Sequence, residues 1–157
     1  MALGFPLLVD LKDNNCTVFG GNKSALRRVN ELLRFGAKVT VISPQICSEL
    51  AQMSEQGRIR HIPRKYFRGD CSNSQLCVAA TDDSTLNIAI STECKNKGIP
   101  VNVTSPRSYG NFTFPRLVTN DDVVLSITGT LPADTLTALQ ERLEAELPRM
   151  IAEIQSE

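Results

Sequence analysis

The residues best suited to chemistry stand where an apolar run gives way to a helical pattern. Cys16–Phe19 is closed by Gly20 and Gly21, and Asn22, Lys23 and Ser24 follow at once. A glycine-rich turn between a strand and a helix presents backbone N–H groups to a phosphate, and its glycines let the chain approach a pyrophosphate. Read as GxGxxG, the match is partial, because Asn22 and Ala25 stand where further glycines are usual. Asparagine replaces glycine at modest cost, since it tolerates positive φ better than most residues with side chains. The acidic residue that usually holds a ribose after the second strand is missing. Ser43, Pro44 and Gln45 stand there, leaving Gln45 or a backbone group to do that task less selectively. Thr81, Asp82 and Asp83 follow a second apolar run, Leu76–Ala80. Each residue also has a plain reading. Asp82 and Asp83 could cap the next helix, and Lys23 could be a solvated helix-start residue rather than a charge-assisted partner of a phosphate.

Other chemistries find less support. His61 is the only histidine, in the basic stretch RIRHIPRKYF, where a packing or surface role is the commoner one. The five cysteines, Cys16, Cys47, Cys71, Cys77 and Cys94, are odd in number and contain no CxxC pair. That argues against a disulfide framework and a structural zinc site, and no metal is expected. Lys+Arg and Asp+Glu both count 17, so no basic excess points to nucleic acid. GFPLLVDL is broken by Pro6 and Asp10, too short to span a membrane, and the start lacks a signal peptide's basic region and cleavage site. A cytoplasmic location is expected.

These residues need a scaffold, and the pattern of elements supplies one. Strands are expected at Cys16–Phe19, Lys38–Ile42, Arg58–Ile62, Leu76–Ala80 and Pro100–Val103. Helices are expected at Ser24–Phe35, Ile46–Gln56 and Thr85–Lys97, closed by Gly36, Gly57 and Gly98. Alternating strands and helices imply an α/β, Rossmann-type parallel sheet over residues 1–111. The rhythm then changes. Phe112–Val118 and Val123–Thr128 read as a hairpin with a polar turn at Thr119-Asn120-Asp121-Asp122, followed by a helix over Thr135–Leu147 with Leu136, Leu139, Leu143 and Leu147 on one face. A hairpin and one helix cannot bury both apolar faces alone, so residues 112–157 read as a unit that pairs with a second copy. Folding back onto the first sheet is the alternative.

GFPLLVDLKDNNCTVFGG, ALRRVNELLRFGAKVTVISP, VAATDDSTLN, IPVNV, NFTFPRLV and TGTLPADTLTALQERLEAELP together resemble the siroheme-synthase N-terminal family. The likeness runs in order from about Phe5 to Pro148. It implies NAD-dependent oxidation of precorrin-2 to sirohydrochlorin, with sirohydrochlorin ferrochelatase activity in some members, on an interlocked homodimer. By position it implies a cofactor site at Gly20, Gly21, Asn22, Lys23 and Ser24, at Pro44 and Gln45, and at Thr81, Asp82 and Asp83.

Departures from the family bear on activity. The family's Asn-Val-Val-Asp carries its catalytic aspartate, and here Asn102-Val103-Thr104-Ser105 puts serine at that position. Thr104 and Ser105 cannot act as a general base near neutral pH without an activating partner. Family members usually continue into a helical region that helps form the tetrapyrrole cleft, so a more open site, or one completed by another protein, is expected. Thr128-Gly129-Thr130-Leu131 replaces a turn richer in Ser and Gly in relatives. Arg107, Arg116 and Arg142 are candidates to meet the substrate's carboxylates. Two functions compete: a dehydrogenase with doubtful chelatase ability, and a catalytically impaired homologue that binds NAD or a tetrapyrrole as a carrier or partner subunit. A nicotinamide oxidoreductase with another substrate is discouraged by the missing His and Tyr/Lys patterns.

Overall fold

A computed structural model describes residues 4–120 and 123–156. The chain divides into two compact units, Val9–Thr113 and a second that joins Phe114–Glu157 to Met1–Leu8.

The first unit is built on β1 (Asn15–Phe19), α1 (Lys23–Arg34), β2 (Lys38–Ile42), α2 (Ser48–Glu55), β3 (Arg60–Ile62), β4 (Leu76–Ala79), α3 (Ser84–Asn96) and β5 (Val101–Val103), then a short 3-10 turn, Arg107–Tyr109. The strands form one parallel sheet in the order β3-β2-β1-β4-β5. The expected Rossmann-type sheet is thus present, with element ends displaced by one or two residues. Succession runs outward from β1 in one direction and from β4 in the other. Right-handed crossovers therefore place the helices of the two halves on opposite faces of the sheet. β4 is buried at all four positions, as a parallel strand covered on both faces must be. Gly36, Gly57 and Gly98 end α1, α2 and α3 with positive φ, as their spacing in the sequence anticipates.

The crossover from β3 to β4 has no helix. Residues 63–75 are instead held by a polar network around two carboxylates. Arg64 makes a two-pronged ion pair with Asp70 at 2.8 and 2.9 Å, and Phe67 N donates to the same carboxylate at 2.8 Å. Glu93, buried on α3, accepts from Gly69 N and Lys97 Nζ, each at 2.7 Å, and from the Tyr66 hydroxyl. The Tyr66 ring stands edge-on to Phe19, 5.4 Å between centroids. An apolar helix normally covers this part of a sheet; here hydrogen bonds to Glu93 hold the covering segment down, and Asp70 ties the segment to itself.

The second unit contains β6 (Arg116–Asn120), β7 (Val123–Ile127) and α4 (Ala133–Gln155). The first hairpin strand begins later than expected. Asn111 and Phe112 are taken up by β5: Asn111 Oδ1 accepts from Val101 N at 2.7 Å, and Asn102 Nδ2 donates to Phe112 O at 3.1 Å. Thr119 and Asn120 belong to the strand, and the rest of the expected polar turn, Asp121 and Asp122, lies outside the described residues. α4 runs past the expected stop at Leu147, through Pro148. Proline forfeits its bond to the carbonyl four residues back, here that of Glu144 in an exposed turn, where water can take over. The Arg149–Glu153 pair at 2.7 Å spans the turn beyond it. Gln140 Nε2 donates to Leu117 O and Arg116 to Ala133 O, fixing α4 on β6. Among the described residues no helix is long and apolar enough to cross a membrane.

The network around residues 63–75 gives stability a direction with pH. At Asp70 the Arg64 hydrogen bond holds the carboxyl below its usual range. At Glu93 burial pushes upward, but the bonds from Lys97, Tyr66 and Gly69 outweigh it and the net shift is downward. Both folded values lie below the unfolded ones, so this stabilisation is complete above about pH 4.5 and is lost as pH falls through the folded values. The urea midpoint is expected to drop as pH falls from about 5 to about 3, and the drop should be smaller in Glu93→Gln. Equal dependence in both proteins would contradict the assignment.

Candidate functional site

The carboxyl ends of β1, β2 and β4 converge where strand order reverses, the place at which open α/β sheets bind ligands. The turn after β1 enters this point between the turns that follow its two neighbours. Gly20 has φ +117, and a Cβ there would lie 2.3 Å from Ala80 O. A Cβ on Gly21 would lie 2.0 Å from Gln45 O, and Gly21 O accepts from Cys47 N at 2.8 Å. Both glycines are therefore demanded by the neighbouring backbone. A side chain added at Gly21 would break this packing before it met any ligand.

Asn22 does a different task from the one expected. Its φ is −84, so its tolerance of positive φ is not used. It is the N-cap of α1: Oδ1 accepts from Ala25 N at 2.9 Å. Its Nδ2 donates to Asp82 Oδ1 at 2.8 Å, joining the turns after β1 and β4. Glycine could do neither. Lys23 and Ser24 are exposed in the first helical turn, which carries no acidic residue, so the positive end of the α1 dipole is open to an anion.

Pro44 and Gln45 are exposed, and Gln45 O accepts from Ser43 Oγ at 2.6 Å. His61 Nε2 lies 2.9 Å from Ser43 O, a packing role on the edge strand β3. The two aspartates divide: Asp83 caps α3, accepting from Thr85 N and Leu86 N, while Asp82 makes the cross-turn bond to Asn22. Thr81 N and Oγ1 both donate to Asn87 Oδ1, at 3.1 and 2.7 Å. Asn87 was not singled out as a site residue, yet it ties the region together. It is fully buried and its Nδ2 donates to Thr81 O at 3.0 Å and to Ser105 O at 2.9 Å. An amide between Leu86 and Ile88 on a helix was the available signal. Ser105 is exposed and enters this network through its carbonyl, while Thr104 bonds back to Ala79 O. Arg107 is also exposed on the first unit. On the second unit Arg142 is paired with Glu146 at 2.9 Å.

Ten residues expected at a cofactor site thus lie on three turns at one sheet edge. Residues 7–116 match the family described as "Putative NAD(P)-binding". This chain belongs to that family. The NAD(P)-binding chain is 36% identical over 145 residues to a siroheme synthase of Thioalkalivibrio sulfidiphilus, covering 92% of this chain and 30% of that protein. It is 36% identical over 148 residues to a siroheme synthase of Nitrosospira multiformis, covering 91% and 31%. The chain spans about a third of the length of these relatives. Among solved structures it is similar to SirC, a precorrin-2 dehydrogenase, with a TM-score of 0.73 and 26% identity over 91% of this chain and 71% of that one.

Removing the buried amide tests how the three turns are held. Asn87→Ala removes the partner of Thr81 N and of the Thr81 and Ser105 carbonyls, while Thr81 Oγ1 keeps its bond to Asp83 O, and should cost about 1–3 kcal/mol in chemical denaturation. An unchanged midpoint would mean that water replaces Asn87 at no cost.

Proposed function

We propose that this chain is an NAD-dependent dehydrogenase that oxidises precorrin-2 to sirohydrochlorin. The likeness to a precorrin-2 dehydrogenase over 91% of the chain carries this reading. The site fits a dinucleotide: the α1 N-terminus opens at the switch point with Lys23 and Ser24 exposed and no acid in its first turn. The pyrophosphate would rest against Gly20, Gly21, Asn22, Lys23 and Ser24, the ribose near Pro44 and Gln45, and the nicotinamide side near Thr81, Asp82 and Asp83. With no carboxylate at Gln45, nothing there repels the phosphate of NADP, so preference for NAD is relative. Bound NAD supplies a hydride acceptor; the chain's own work is to orient the macrocycle and receive or pass on the proton it sheds.

At that second task this chain is poorly equipped. Ser105, at the family's aspartate position, cannot hold a negative charge at neutral pH, and its backbone is engaged by Asn87. A positioned general base is worth ~10²–10⁴-fold. The protein should therefore oxidise precorrin-2 slowly and insert metal into sirohydrochlorin poorly. The five free thiols suit a reducing cytoplasm. In the second unit Val124, Leu131, Leu139, Met150 and Ile154 are exposed, and a second copy of this chain is the proposed cover.

NADH formation on mixing the protein with precorrin-2 and NAD⁺ tests the reading, with sedimentation of the same sample expected to give a dimer. Turnover should be slow, and Ser105→Asp should raise it about tenfold or more, a part of the ~10²–10⁴-fold worth of a well-placed base. If both forms bind NAD and neither turns over, the chain is a binding subunit instead.

A further inference from the structure

Three of the five cysteines meet in the core although nothing in their spacing suggests it. Cys71 comes from the helix-less segment between β3 and β4, Cys77 from β4 and Cys94 from the last turn of α3. All three are buried, and their Sγ atoms lie within 4.8 Å of one another. Cys94 and Cys71 are 3.2 Å apart as free thiols. The cluster lies toward the amino ends of the strands, the opposite edge from the candidate dinucleotide site. Its surroundings are apolar, including Ile90, Ile99 and Val101.

We propose that Cys71, Cys77 and Cys94 form a three-sulfur site for a soft d¹⁰ cation, and that monovalent copper is the ion it fits. The geometry is close to what is needed. A metal about 2.3 Å from each of three sulfurs in a plane requires S···S separations of about 4.0 Å, so Cys71 and Cys94 need only spread slightly. Among the described residues no further His, Cys, Asp or Glu joins the group. That disfavours Zn²⁺, which takes four ligands in structural sites, and favours soft Cu⁺, for which thiolates are selective.

Binding would displace thiol protons to solvent without any change of oxidation state. Lys97 bonds to Ser72 and Glu93, the chain neighbours of Cys71 and Cys94, and brings a cation to the rim of the site. Residues 63–75, which supply Cys71, contain neither helix nor strand. This site stands independently of the dehydrogenase reading.

The test is an anaerobic titration of the reduced full chain with Cu⁺ buffered by bicinchoninate, whose coloured complex reports free copper. One equivalent per chain should leave the chelator, and the melting temperature should rise, as for any ligand that binds only the folded state. Cys71→Ser and Cys94→Ser should each weaken binding at least tenfold. Cys16→Ser should not: Thr17, not Cys16, is in register with Cys77, so Cys16 faces the other side of β1. No transfer from the chelator, or equal binding in folded Cys71→Ser and Cys94→Ser, would overturn the proposal. Where a serine variant fails to fold, alkylation of the unmodified protein decides. Cu⁺ should protect Cys71, Cys77 and Cys94 and leave Cys47 reactive; equal labelling with and without Cu⁺ would refute the site.

Discussion

The lack of room at Gly20 and Gly21 governs the rest of the site. One glycine is pressed on Ala80 O and the other on Gln45 O, at distances no Cβ could occupy. Because the turn after β1 packs between its neighbours, the three strand ends come together and α1 begins at the switch point. Asn22 then closes the arrangement from both sides, capping α1 and bonding to Asp82. Glycine-rich turns are usually explained by close approach of a ligand. In this protein the same residues are required first by backbone against backbone, and the opening for an anion follows from that packing.

Much of this was legible in the residues. The apolar runs, the glycines after each helix and the continuous apolar run at Leu76–Ala80 identified a parallel sheet, because burial on both faces and left-handed helix ends leave local marks. What the residues did not disclose was long-range. Asn22 looked like a tolerated substitute for glycine, and its partner Asp82 is 60 positions away. Asn87 acts through bonds to Thr81 and Ser105 that only the fold brings into reach. Residues 63–75 gave no helical period, and their fastening to Glu93 depends on which face α3 turns inward. Proline at position 148 argued for a helix end, but an exposed carbonyl can do without its partner, so α4 continued.

The same view clarifies Ser105. Its carbonyl, not its side chain, is the structural element, held by Asn87 beside the Thr81 turn. Scaffold and charge are therefore separable at this position. The Ser105 backbone is held by this bond whatever side chain the position carries.

Calorimetric titration of NAD⁺ into the native chain and into Gly20→Ala tests the central claim most directly. The account predicts one NAD⁺ per chain for the native protein. It predicts at least a tenfold loss of affinity in Gly20→Ala, because a methyl group at φ +117 and 2.3 Å from Ala80 O must push the turn away from its neighbours. Undiminished binding by a folded Gly20→Ala protein, or no binding by the native chain, would contradict it.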